Sequence, residues 1–232
     1  YAPVQNAEAF RFTDALIGEG ATYETAGSLK GGRRVWLLAH LPEDVKVAGD
    51  DIRAYVVFSN SHDGTTSVKV AITPIRVVCQ NTLSYGLRTA KRVWSTPHVG
   101  RIHDRMAEAR KTLGLTRRYM QALKEEGERL AVARLDFEKA VRQLVPITDD
   151  DGDQAKRTKE MIREDLYLRG RAEDLENVKG TAWGFLQAVC EHVTHMEPIR
   201  KTDTWKERRW ERLIDGDKML QQARSIAVAA AN

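Results

Sequence analysis

Between Ala9 and Ile17 the apolar residues Ala9, Phe10, Phe12, Ala15, Leu16 and Ile17 recur near helical spacing until Gly18 and Gly20 interrupt them, which predicts a short helix capping a sheet. Two hairpins follow. Ala21 to Leu29 and Arg33 to Leu41 read as strands around Lys30-Gly31-Gly32, where the glycines supply the positive φ of a tight turn. Pro42 to Asp51 reads as a polar loop. Ile52 to Phe58 and Ser67 to Val78 form the second pair, around the turn cluster Ser59-Asn60-Ser61-His62-Asp63-Gly64. Four strands in meander order result. Val68, Val70 and Ile72 alternate with Lys69, Ala71 and Thr73, as in a sheet buried on one side. Pro74 cannot donate to a ladder, so the last strand is expected to bulge or lie at an edge there.

Beyond Val78 the period changes from two to about 3.6. Cys79 to Leu83 reads as a helix entry with Asn81 or Thr82 as cap. Arg101 to Leu113 is a helix ended by Gly114, and Thr116 to Leu144 is a long one stopped by Pro146. Leu123, Leu130, Phe137 and Leu144 fall seven apart and form a heptad-like seam. The expected partner for that seam is Gln154 to Leu168, returning after the acidic loop Asp149 to Asp153, with a second subunit as the other option. Thr181 to His195, Asp203 to Leu213 and Asp215 to Ala231 complete the helices. The fold class is thus α+β: a short helix, a four-stranded antiparallel meander over residues 1–100, then a mainly helical half over 101–232 that packs on it as one continuous domain.

Composition narrows this reading. The chain has 232 residues, 42% of them hydrophobic, enough for a substantial core. With 30% charged residues and a mean hydropathy of −0.48, no apolar run approaches the roughly 18 residues of a membrane helix. Cys79 and Cys190 lie too far apart in sequence for a disulfide framework or a CxxC zinc site, and a reducing, cytoplasmic setting is expected. No basic and apolar leader follows Tyr1, and no initiator Met precedes it.

Charge placement is the sharper signal. Residues 1–82 carry 8 Lys/Arg against 9 Asp/Glu, residues 83–120 carry 9 against 2, and residues 121–232 carry 20 against 22, so the net of +4 is a local excess of +7 on a neutral scaffold. Such a stretch suits an anionic partner surface, with a solvated helix face as the competing reading. Lys30, Arg33 and Arg34 crowd the first turn, and Lys69 and Arg76 lie along the last strand. Arg88, Lys91 and Arg92 share a helical face, with Arg101 beyond them. Sequence-independent grip on a phosphate backbone needs such cations beside stacking rings. Tyr85 and Trp94 are the expected platforms, while Trp36 and Tyr55 inside strands are expected to pack in the core. Trp205-Lys206-Glu207-Arg208-Arg209-Trp210-Glu211-Arg212 interleaves acids and reads as a packing helix.

Catalytic constellations do not emerge. GxGxxG, Walker, GxSxG and HExxH patterns are missing, and the acidic loop fails the EF-hand pattern at Ile147 and Thr158. Cys190, His192 and His195 offer metal-type ligands within six residues but no second pair, so core packing is the preferred reading of them. No cofactor and no catalytic residue is expected.

Tyr23 to Leu29 with Gly31-Gly32-Arg33, then Ser59 to Gly64, Thr73 to Leu83, and Gly180-Thr181-Ala182-Trp183 together resemble the phage/plasmid-like protein family, long defined only as a domain of unknown function. The resemblance covers nearly the whole chain and implies a mobile-element setting and a further N-terminal segment before Tyr1. In topology the helix, twisted meander and basic helix are similar to the single-strand annealing recombinases. Those form rings that pair complementary strands without a nucleotide cofactor. Sequence-independent binding of single-stranded DNA in phage or plasmid recombination, by a homo-oligomer, is therefore the leading expectation. The alternative is a phage- or plasmid-encoded protein-interaction module without nucleic-acid activity.

Overall fold

The computed structural model describes residues 4–17, 21–76, 81–82, 93–98, 102–198 and 201–232. Helix α1 (Asn6–Ile17) leads into β1 (Thr22–Leu29), β2 (Arg34–Val47), β3 (Asp50–Ser61) and β4 (Val68–Arg76), an antiparallel meander in chain order. Two further short segments, β5 (Asn81–Thr82) and β6 (Val93–Thr96), share the outer edge of β4: β6 pairs with Val68 to Ala71 and β5 with Ile75 and Arg76. Six segments therefore fill five strand positions rather than four. Asn81 and Thr82, expected to cap a helix, are instead strand residues. Pro74 stays in unbroken register with Ala54, and it sits at the gap between β6 and β5, where no ladder asks for its missing N–H.

The expected loop from Pro42 to Asp51 is sheet. β2 and β3 run on to a two-residue turn at Ala48 (φ 50°) and Gly49 (φ 90°). The polar residues that suggested a loop form a bulge, with register lost between Leu41 and Val45. Inside the bulge the Asp44 carboxylate accepts the Ala54 N–H at 2.8 Å, replacing a lost ladder acceptor. The extended tip is tied down by the Ala48 N–H donating to Glu128 (3.0 Å) and the Asn177 amide donating to the Ala48 carbonyl (3.1 Å).

Alternation along the strands gives two distinct faces. Leu37, Ala39, Leu41, Ile52, Ala54, Val56, Phe58, Val68, Val70 and Ile72 belong to the main core. Trp36, Leu38, His40, Tyr55, Val57, Ser59, Lys69 and Ala71 lie on the second face.

The helical half comprises a 3₁₀ turn (Ile102–Arg105), α2 (Met106–Leu113), α3 (Thr116–Val132), α4 (Phe137–Leu144), α5 (Asp153–Arg169), a second 3₁₀ turn (Glu173–Val178), α6 (Ala182–His195), α7 (Trp205–Asp215) and α8 (Lys218–Ala230). The single helix expected over Thr116 to Leu144 is two. Ala133 to Leu135 turns extended and bridges Gly180 to Ala182: Leu135 N–H donates to Gly180 (3.0 Å) and Ala182 N–H to Ala133 (2.8 Å). Asp136 then caps α4 by accepting the Lys139 N–H at 3.0 Å.

The heptad seam meets its expected partner α5 only along its second half. Leu123 and Leu130 are buried where α3 lies against β2 and α6, while Leu144 and the half-buried Phe137 serve α4 against α5 and α8. From Ala182 to Cys190 every residue of α6 is buried, with Gln187 among otherwise apolar residues, so this stretch is enclosed on all sides. Thr181 caps it, accepting the Gly184 N–H at 3.1 Å while donating to the Val178 carbonyl at 2.6 Å.

Gly127 marks the closest approach of α3 to its neighbours. A Cβ there would run into Val47 at the sheet tip and come within 3.2 Å of the Trp183 ring. Gly127→Ala gains about 1 kcal/mol of helix propensity, but overpacking costs about 1–3 kcal/mol, so the variant is expected to be less stable. Urea denaturation measures the loss, and adding Val47→Ala should recover part of it. A Gly127→Ala chain at least as stable as the parent would contradict this packing.

Candidate functional site

The cations expected to form one surface are distributed by strand alternation. Arg33 is exposed in the first turn, and Lys30, beside it, reaches back over the second sheet face. Arg34 is only 2% exposed. Its Nε donates to Ser59 Oγ at 3.1 Å, its Nη1 donates to Glu211 Oε1 at 2.5 Å, and its guanidinium carbon lies 4.7 Å from the Trp210 ring centroid. Lys30 Nζ approaches the same Glu211 oxygen at 3.5 Å. Lys69 follows Ser59 on the neighbouring strand, so Lys30, Arg34 and Lys69 converge around Ser59, with Trp36 next to Ser59 on the other side.

Arg76 ends β4, in register with Ile52 and seven positions along the strand from Lys69. Trp94 is 5% exposed in β6, where it packs in the main core and its indole N–H donates to Glu108 at 3.3 Å; the stacking role expected of it is withdrawn. Arg88, Lys91, Arg92, Arg101 and Tyr85 lie outside the described residues.

Helix α7 is the element whose two faces both matter. Trp205 and Trp210 are five positions apart, which places them about 140° apart around a helix. The Trp210 side packs on Leu38, Val57, Ala71 and Val93, closing the second face of the sheet, and its ring centroid is 6.0 Å from that of Trp36. The opposite side, with Trp205, Arg208, Arg209 and Arg212, lines a cavity of about 740 Å³ between α5, α6, α7 and the start of α8. The reading of Trp205 to Arg212 as a packing helix thus accounts for one face alone. The arginine pair at 208 and 212, four apart and out of phase with Trp210, carries the missed signal.

At the cavity's inner wall stands His192, 7% exposed. Its Nδ1 is 2.7 Å from Asp165 Oδ2, which also accepts from Arg169 Nε at 2.5 Å, and Arg169 Nη1 donates to Glu191 at 2.7 Å. Burial pushes the imidazole below its ordinary value of 6.5, against the opposing pull of Asp165. Burial works to raise the Asp165 carboxyl, but hydrogen bonds from Arg169 and His192 prevail and hold it below the ordinary carboxylate range. Neutral His192 therefore donates from Nδ1 to Asp165 and presents Nε2 as an acceptor.

The cysteine and histidines weighed as metal ligands are not assembled. Cys190 is fully buried, His192 is engaged with Asp165, and His195 is exposed. Among the described residues no three potential ligands come together.

A family model described as a domain of unknown function, DUF932, matches residues 1–214. The chain belongs to this family. No curated protein and no solved structure matches it. Within the DUF932 chain, the sheet, α6 and α7 fall inside the matched stretch, whereas the cavity wall made by Gly216, Asp217 and Met219 lies just beyond it. Among the described residues no helix is long and apolar enough to cross a membrane.

The buried imidazole makes stability depend on pH. As pH falls below 6.5 the unfolded chain takes up a proton that folded His192, facing Asp165, Arg169 and Asp217, resists, so stability drops toward the lower folded-state value. In His192→Asn this part of the decline should vanish. Denaturation series on either side of pH 6.5 test it, and equal slopes for parent and variant would refute the assignment.

Proposed function

We propose that the protein binds single-stranded DNA without sequence preference, in the strand-pairing chemistry of phage or plasmid recombination. The observation that carries this reading is the placement of half-buried Lys30 and Lys69 at one end of a rigid sheet face, with Trp36 in the transverse row of Lys69 and exposed Arg33 on the adjoining turn. Cations on a fixed scaffold beside an aromatic ring hold a phosphate backbone while tolerating any base. The basic stretch adds to it: Arg105, Arg110, Lys111, Arg117 and Arg118 are all exposed on and around α2 and the start of α3.

Self-association is part of this proposal. The α3 seam is used inside the chain, so the surface available for a homo-oligomer is the outer edge of β1, which is exposed along most of its length. Electron microscopy of the full chain with DNA is expected to show closed assemblies; particles of single-chain size would count against annealing.

One observation favours the second reading, a mobile-element interaction module. Arg34 is already neutralised by Glu211 beneath α7, as in a surface built for internal packing. Salt dependence separates the two. Each phosphate contact on a single strand contributes about 0.7 to the slope of log affinity against log salt. Replacing Lys30, Arg33 and Lys69 together with Ala should therefore weaken binding and lower the slope by about 2. An unchanged slope, or no retention of single strands by the parent, would favour the interaction module.

A further inference from the structure

The cavity behind α7 has unspent positive charge. Of its carboxylates, Glu197 is paired with Lys201, Glu211 with Arg34 and Lys30, and Asp217 accepts the Met219 and Leu220 N–H groups at the start of α8 at 2.8 and 3.3 Å. Arg212 stands 3.7 Å from Asp217. Among the described residues no carboxylate pairs with Arg208, and Arg209 acts on Glu197 only at longer range, where it helps Lys201 hold that carboxyl below the ordinary range, so the two guanidinium groups have charge to offer an anion.

The remaining lining is mainly apolar, with Thr158 and Thr202 among it. Ile162, Val193, Met196 and Met219 supply the apolar part, and the Trp205 ring carries Arg209 at 4.8 Å and Lys201 and Lys206 at 5.7 Å from its centroid, an aromatic surface ringed by cations of the kind that holds a base beside a phosphate. His192 supplies the third group. More than nine-tenths buried and lining the cavity, it spends Nδ1 on Asp165 and leaves Nε2 with no hydrogen-bond partner among the described residues. As the acceptor nitrogen of a neutral imidazole, Nε2 can take a ligand N–H or O–H. The volume, about 740 Å³, is that of small-molecule sites in general, which run from about 300 to 1,000 Å³.

An anionic group, a planar apolar body and a hydrogen-bond donor must therefore occur in one ligand. The geometry points to a nucleoside phosphate: phosphate on Arg208 and Arg209, base against Trp205 and the methionines, and a base or sugar donor on His192 Nε2. The shared chemistry is a mononucleotide unit, either free or as the end of a DNA strand. No strand residue lines the cavity, so nucleotide binding here and strand binding on the sheet can fail separately.

Calorimetric titration of the full chain with deoxyadenosine monophosphate, deoxyadenosine and inorganic phosphate tests the site. The monophosphate should bind saturably at one site per chain, with the other two each about tenfold weaker or more, the scale of one charge-assisted contact. Arg208→Ala with Arg209→Ala should weaken the monophosphate about tenfold and leave deoxyadenosine unchanged, while Trp205→Leu should weaken both. Arg208 is exposed, and far-ultraviolet circular dichroism confirms that the variants fold. Competition by a 5′-phosphorylated single strand would assign the unit to strand ends, and its failure would assign it to free nucleotide. No saturable binding of the monophosphate, or binding indifferent to the arginine pair, would overturn the proposal.

Discussion

Enclosure of α6 is the constraint on which the rest of the molecule depends. A helix with apolar residues on every side cannot sit on a surface, so other elements must surround it, and α3, α5, α8 and the second 3₁₀ turn do so. The requirement reaches outward from there. α3 can approach both α6 and the sheet tip because Gly127 has no side chain, and the Ala133–Leu135 bridge to Gly180–Ala182 breaks the helical run so that α4 can turn back onto α8. The same helix that fills the core delivers His192 from its last turn to a cavity wall. Rigidity and chemistry are therefore supplied by one element.

The second organising contact is the closure of the sheet's other face by α7. Arg34 is buried, and a buried guanidinium without a counter-charge would be costly by several kcal/mol. Glu211, Ser59 and the Trp210 ring surround it. Because α7 spends its carboxylate and one tryptophan on that side, Arg208, Arg209 and Trp205 are left for the cavity behind it. The sheet surface and the cavity are thus two consequences of one helix that carries Trp210 and Glu211 toward the sheet and Trp205 with the arginines toward the cavity.

Much of the fold was legible in residue pattern. The first helix, the four long strands and their meander order, the Lys30-Gly31-Gly32 turn and the apolar α6 segment follow from alternation, helical spacing and glycine conformations, all of which are local. The errors have a common cause. Pro42 to Asp51 resembles a loop because the bulge residues are polar, and only the Ala54 N–H meeting Asp44 shows them to be sheet. Thr116 to Leu144 resembles one helix because its apolar period continues through Ala133, although Asp136 with Lys139 three residues on was a cap signal available in the sequence.

The candidate sites divide along the same line. By itself the sequence determined where charge and aromatic rings occur and which strand face each residue takes, and it thereby limited the chain to an α+β protein with a local basic excess. The tertiary structure alone decided that Arg34 is withdrawn under Glu211, that Trp94 belongs to the core, and that Arg208, Arg209 and His192, from the consecutive helices α6 and α7, face one cavity. The physical reason is that local pattern reports a residue's period and polarity, whereas burial and counter-charge depend on which distant element arrives to cover it.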